Sequence, residues 1–214
     1  MNGKYNFNDT GFLDFLELVK RKKKGHHCSH HDEKECECKG DLLHLVPDSI
    51  LIIADICPKC NKKGSELIAA FPGIPLLFKA ENFSKPACEK LIRNEIPPVV
   101  LAETLNVGGT GKVFTVEESF NASFALTLAE SVSTGNNDAY IFHLQWIDNQ
   151  GNINTILIAI TGLPDNLLHV RDCHGHYSTD IGGNGTQAVT SIPFTAVSKM
   201  IRTVNGVVIE TLIP

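Results

Sequence analysis

Basic residues are scarce over the longer half of this chain. Residues 98–214 hold 4 Lys and Arg against 10 Asp and Glu, a local balance of −6, within totals of 19 basic and 24 acidic groups. A surface of that sign repels phosphate, which excludes nucleic acid and anionic membrane as partners of this half. Long apolar runs are also missing. The longest, Ser49 to Cys57, is interrupted by Asp55 and falls short of the roughly 18 residues a membrane-spanning helix needs. The start, Met1-Asn2-Gly3-Lys4-Tyr5-Asn6, has no basic run followed by an apolar stretch. No secretory leader is therefore expected, and the chain should begin life in a cytoplasm. Catalytic signatures are lacking as well: there is no Gly-X-Ser-X-Gly and no His-Glu-X-X-His. Gly108-Gly109-Thr110-Gly111 and Gly182-Gly183-Asn184-Gly185 carry no Lys-Ser pair and open no helix, so they are expected to be β-turns and not phosphate cradles. The expectation is a protein that is not an enzyme.

What the chain does have is cysteine and histidine, packed into its first part. Six of the 7 cysteines and five of the 9 histidines lie before residue 90. The densest run is His26-His27-Cys28-Ser29-His30-His31, followed by Cys36-Glu37-Cys38 and Cys57-Pro58-Lys59-Cys60. Thiols and imidazoles at this density either bind a soft metal or cross-link chains. Cys36, Cys38, Cys57 and Cys60 approximate the two knuckles of a zinc ribbon, with His26, His27, Cys28, His30 and His31 as alternative ligands. The one-residue gap between Cys36 and Cys38 is tighter than the usual knuckle. Cross-linking through Cys28, Cys36, Cys38, Cys88 and Cys173 is the other reading, and an odd cysteine count leaves at least one thiol outside any intrachain pairing. A third is a redox dithiol at Cys57 and Cys60. It lacks the helix N-terminus that would activate a thiolate, because Asn61-Lys62-Lys63-Gly64 follows. Cys173-His174-Gly175-His176 reads as a loop.

Three regions are expected. Residues 1–40 form a helix and a Cys/His-rich arm. Over Thr10–Lys24, Phe12, Leu13, Phe15, Leu16 and Val19 share one helical face, Lys20–Lys24 suit the negative end of the dipole, and Gly25 closes it. Residues 41–97 form a small mixed α/β segment: strands at Ile50–Ile53 and Leu76–Phe78, a helical turn at Gly64–Ala70 and a short helix at Pro86–Ile96 carrying Cys88. Pro97-Pro98 ends it. Residues 98–214 are β-rich. Phe120, Ala122, Phe124, Leu126 and Leu128 alternate with polar residues, as do Tyr140, Phe142, Leu144 and Trp146, which leaves His143 on the surface. Asn205-Gly206 marks a hairpin. With strands at Val99–Leu105, Lys112–Val116, Ile153–Ile160 and Gln187–Ile192, the fold class is mainly β, an antiparallel sandwich or jelly roll.

Phe12-Leu13-Asp14-Phe15-Leu16, the run His26–His31, and Pro75-Leu76-Leu77-Phe78-Lys79-Ala80-Glu81 leading to Cys88 give the chain its resemblance to a family. It resembles the cysteine-rich proteins of bacterial spore surfaces, the coat and exosporium proteins, and more loosely the β-sandwich subunits of endospore appendages. That resemblance implies self-assembly into a layer or fibre locked by disulfides between subunits. Its partners would be copies of itself and other surface-layer proteins. Release by lysis of a mother cell would need no leader peptide. The cofactor expectation is none, or zinc.

Overall fold

A computed structural model describes residues 35–46, 49–93, 99–132, 138–173, 199–204 and 207–212. The expected helix over Thr10–Lys24, the run His26–His31, the strand Gln187–Ile192 and Gly182–Gly185 lie outside these residues. Among the described residues there are twelve strands, one 3₁₀ turn and no α-helix, so the fold is mainly β and antiparallel.

Period-2 burial explains most of the strands. In β7 (Ser119–Ser131), β8 (Asp138–Ile147) and β9 (Ile153–Leu163), alternate residues are buried, and apart from Asp138 and Asn154 they are apolar. β1 (Cys38–Val46) and β2 (Ile50–Ile56) form an antiparallel hairpin, with Leu42 opposite Ala54. β3 (Glu66–Phe71) and β4 (Leu76–Phe83) continue the meander. β6 (Val99–Phe114) is 16 residues long. Its second half pairs with β4 and its first half with β5 (Ala87–Arg93), so β4 and β5 lie end to end along one neighbour. β7, β8 and β9 follow in order.

After β9 the chain turns over Pro164–Leu167, and β10 (Leu168–Asp172) pairs with β1. The last strand of the meander is thereby brought back to the first, and the sheet curls until it is nearly a barrel. Its interior is one apolar core running from Leu42 and Ile52 through Phe71, Phe78 and Leu105 to Leu128, Phe142, Ile158 and Val170. Gly40 lies against Leu128 and Leu105, so β1 packs across the interior on β6 and β7. β11 (Lys199–Val204) extends the sheet from β9, and β12 (Val207–Leu212) pairs with β11.

Four expectations change. Residues 66–71 and 87–93, expected as helical, are strands. The two strands expected at Val99–Leu105 and Lys112–Val116 are one, and Gly108–Gly111 sits inside it instead of forming a turn.

Candidate functional site: the disulfide-tied end of the sheet

Antiparallel pairing brings distant cysteines together. β1 starts where β2 ends, with Gly40 opposite Ile56, and also where β10 ends, with Cys38 opposite Asp172. Cys36, Cys57, Cys60 and Cys173 each lie within a few residues of these strand ends. They join as Cys36–Cys57 and Cys60–Cys173, with Cα separations of 6.3 and 5.4 Å. Backbone bonds reinforce the junction: the Cys36 amide donates to the Cys60 carbonyl at 3.2 Å, and the Cys173 amide to that of Glu37 at 2.8 Å. A third bridge, Cys38–Cys88, with Cα atoms 6.1 Å apart, ties β1 to β5.

The turn Cys57–Cys60 is tightly wound. Cys57, Lys59 and Cys60 all adopt the left-handed region, with φ of 53°, 56° and 63°. That conformation is costly for residues with a Cβ. Here it is held by the two bridges, by the Cys60 amide donating to the Cys57 carbonyl at 2.8 Å, and by the Cys57 amide donating to Ser65 Oγ at 2.9 Å.

The structure places the cysteines that the sequence singles out as follows. Cys36, Cys38, Cys57 and Cys60, expected as zinc ligands, are oxidised and bonded to different partners, so they present no thiolates. Among the described residues no cluster of His, Cys, Asp or Glu is arranged to hold a metal ion. Cys57 and Cys60 are not bonded to each other, as a redox dithiol would be when oxidised. Cys36, Cys38, Cys88 and Cys173, expected to link subunits, are linked within the chain. Cys36, Cys38 and Cys173 are also buried. Cys28 and its neighbouring histidines lie outside the described residues. His143 is half-buried on the outer side of β8.

The sequence reading missed a second cluster, where β10 closes the curl. Glu130 of β7 reaches across to β10. Its Oε2 accepts the Val170 amide at 2.6 Å, and its Oε1 lies 3.4 Å from His169 Nδ1. Beside it Asp138, at the start of β8, is buried with its Oδ1 accepting the Ser131 amide at 2.9 Å, while its Oδ2 has no partner. Burial, reinforced by the negative charges of Glu130 and Asp165 and opposed by the Ser131 amide, pushes the Asp138 carboxyl up to about 6. Deeper inside, His44 and Tyr140 share a hydrogen bond of 2.7 Å, and burial lowers the histidine and raises the phenol, so both stay uncharged.

Asp138 makes stability depend on pH. Unfolded, it titrates near 4. Between that value and about 6 the folded state holds a proton that the unfolded state has lost, so its contribution to stability falls as pH rises through that window. The loss is on the order of 2–3 kcal/mol by pH 7. Asp138→Asn should therefore raise stability at pH 7 by about 2 kcal/mol and flatten the slope between pH 4 and 6. Urea midpoints measured across pH check this, and parallel curves for the two proteins would show that the carboxyl is not raised.

Compared with known proteins, the chain matches no family model, and neither a curated protein nor a solved structure is significantly similar to it.

Proposed function

We propose that this chain is a non-enzymatic structural subunit that self-assembles into a surface layer or fibre in an oxidising setting, such as a bacterial spore surface. The observation that carries the reading is the fate of the cysteines. Six of the 7 are consumed in bridges that staple one sheet, across sequence separations of 21, 50 and 113 residues. Bonds of this kind persist outside the reducing cytoplasm, where they harden a domain against unfolding. The curled sheet serves as the building block, and we read its two facing sides as the layers of a sandwich of the jelly-roll type.

The same arithmetic revises the cross-linker. A chain with six cysteines bonded internally has one left, Cys28, and one thiol joins two chains, not many. A covalent dimer through Cys28 is the unit this reading predicts, with further growth, including contacts to other surface-layer proteins, left to non-covalent contacts. Purified full-length protein, air-oxidised at high concentration, should run as a dimer without reductant and show layers or fibres by electron microscopy. Cys28→Ser should abolish the gel dimer and leave the circular dichroism unchanged. A wild-type protein that stays monomeric by light scattering at every concentration sinks the proposal.

A further inference from the structure

An antiparallel sheet that is not fully closed leaves edges, and an edge with free amides and carbonyls is a template for another strand. Among the described residues three strands have an unpaired side: β5, β10 and β12. Two of them are protected. In β10 the pairs Cys173 with Glu37 and Leu167 with Leu43 are hydrogen-bonded, so by alternation the Val170 amide points away from β1. Glu130 Oε2 occupies that outward amide at 2.6 Å. β5 carries Glu89, Lys90 and Arg93, and its register with β6 slips by one residue at Leu101 of β6, between Leu91 and Ile92. Charges and bulges are the usual means of discouraging edge pairing.

β12 has no bulge and little charge. Its sequence, Val207-Val208-Ile209-Glu210-Thr211-Leu212, contains one charge and no Lys, Pro or Gly. Val207, Val208 and Ile209 are exposed by 60, 64 and 39%. Neighbouring residues of a strand point to opposite faces, so among the described residues nothing covers either face of this strand there. A short segment with these properties pairs readily with other strands.

We propose that β12 is the edge through which two copies of this chain join, strand against strand, antiparallel about a two-fold axis at Ile209. The proposal rests on the self-assembly reading and names one of its contacts. Pairing of β12 with β10 of a neighbour is blocked by Glu130, and pairing with β5 is disfavoured by its charges Glu89, Lys90 and Arg93, which leaves β12 to meet its own copy. The register is self-complementary. Val204 faces Val207 across a two-residue connection, which makes that pair, and in turn Arg202 with Ile209, hydrogen-bonded. The amides and carbonyls of Val208, Glu210 and Leu212 then face the open edge. With Ile209 opposite Ile209, Val208 of each copy meets Glu210 of the other and Val207 meets Thr211. Shifting the axis by one residue to Glu210 would set two carboxylates directly opposite, which is unfavourable. A two-fold contact at β12 and a Cys28 bond, each joining two chains, alternate into an open polymer.

The test uses the full chain. Ile209→Cys places two thiols opposite each other at a non-hydrogen-bonded pair, where Cα atoms lie within disulfide reach. Mild oxidation followed by peptide mapping should find a bond joining two chains through position 209, with Val208→Cys bonding far less. Ile209→Lys should weaken the dimer by roughly tenfold or more in sedimentation while leaving the circular dichroism unchanged. A bond between position 209 and Cys28, or equal bonding at 208 and 209, overturns the proposal. If wild type assembles and Ile209→Lys assembles equally, the self-assembly reading stands and this contact falls. If wild type never assembles, both fall.

Discussion

Replacing both partners of the Cys60–Cys173 bridge with serine should lower stability by about 4–5 kcal/mol, more than the loss of either other bridge. The chain-entropy estimate grows with the length of the closed loop. Separations of 21, 50 and 113 residues give about 3, 4 and 5 kcal/mol for Cys36–Cys57, Cys38–Cys88 and Cys60–Cys173. The longest bridge also holds the end of β10 beside β1, where the curl closes. Domains are stable by only about 5–15 kcal/mol in total. Losing one bridge should therefore lower Tm by about 10–15 °C, and reducing all three should unfold the sheet. Double serine variants avoid leaving a reactive partner thiol. Urea unfolding followed by fluorescence of the single, buried Trp146 reports the transition. An inverted order of the three variants would show that local packing around the bridges, such as the left-handed Cys57–Cys60 turn, outweighs loop entropy.

That connectivity was not legible in the chain. Six cysteines allow 15 pairings, and the choice among them is made by which strand ends meet, a long-range property of the register. The alternating strands were legible, because a half-buried antiparallel strand writes its two environments into successive residues. Ala122 to Leu128 and Tyr140 to Trp146 show this, with their alternate apolar residues buried as the pattern requires. β5 failed for the complementary reason. Its residues are exposed on both sides except at Cys88 and Arg93, so no alternation is imposed, and Glu89, Lys90 and Leu91 are good helix formers. Pairing with β6 overrides that preference. Glu130, Asp138, Asp165 and His169 left no signal either. They come from three strands and a turn, and nothing in their spacing marks them as neighbours.

Alanine at Gly109 or Gly111 should be among the most damaging single substitutions in this protein, at about 3 kcal/mol or more, although both positions read as turn residues. They lie in β6 opposite the irregular stretch of β4, where the register slips between Ala80 and Asn82. There the backbone of β4 presses directly on the glycines. A Cβ at Gly109 would collide with the Asn82 carbonyl and sit 2.7 Å from Phe124 Cε1. One at Gly111 would collide with the Lys79 carbonyl and lie 2.7 Å from Ala80 Cα and 2.9 Å from Phe78 Cε2. Backbone cannot rotate away as a flexible side chain can, so β4 must separate from β6 or the ring cluster must move. That cluster is Phe78, Phe83 and Phe124, with Phe124 5.5 Å from each of the other two rings. Overpacking alone costs about 1–3 kcal/mol, and the broken β4–β6 pairing adds to it. Two glycines serve as controls. At Gly108 the nearest atom, the Phe124 carbonyl oxygen, is 3.3 Å away, and at Gly151 there is open space but a φ of 81°. Alanine should cost about 1 kcal/mol at Gly151 for its left-handed backbone and a comparable amount at Gly108. Urea midpoints for the four variants provide the comparison. If Gly109→Ala and Gly111→Ala unfold within half a kcal/mol of the controls, the close approach of β4 to β6 is not a feature of the folded protein.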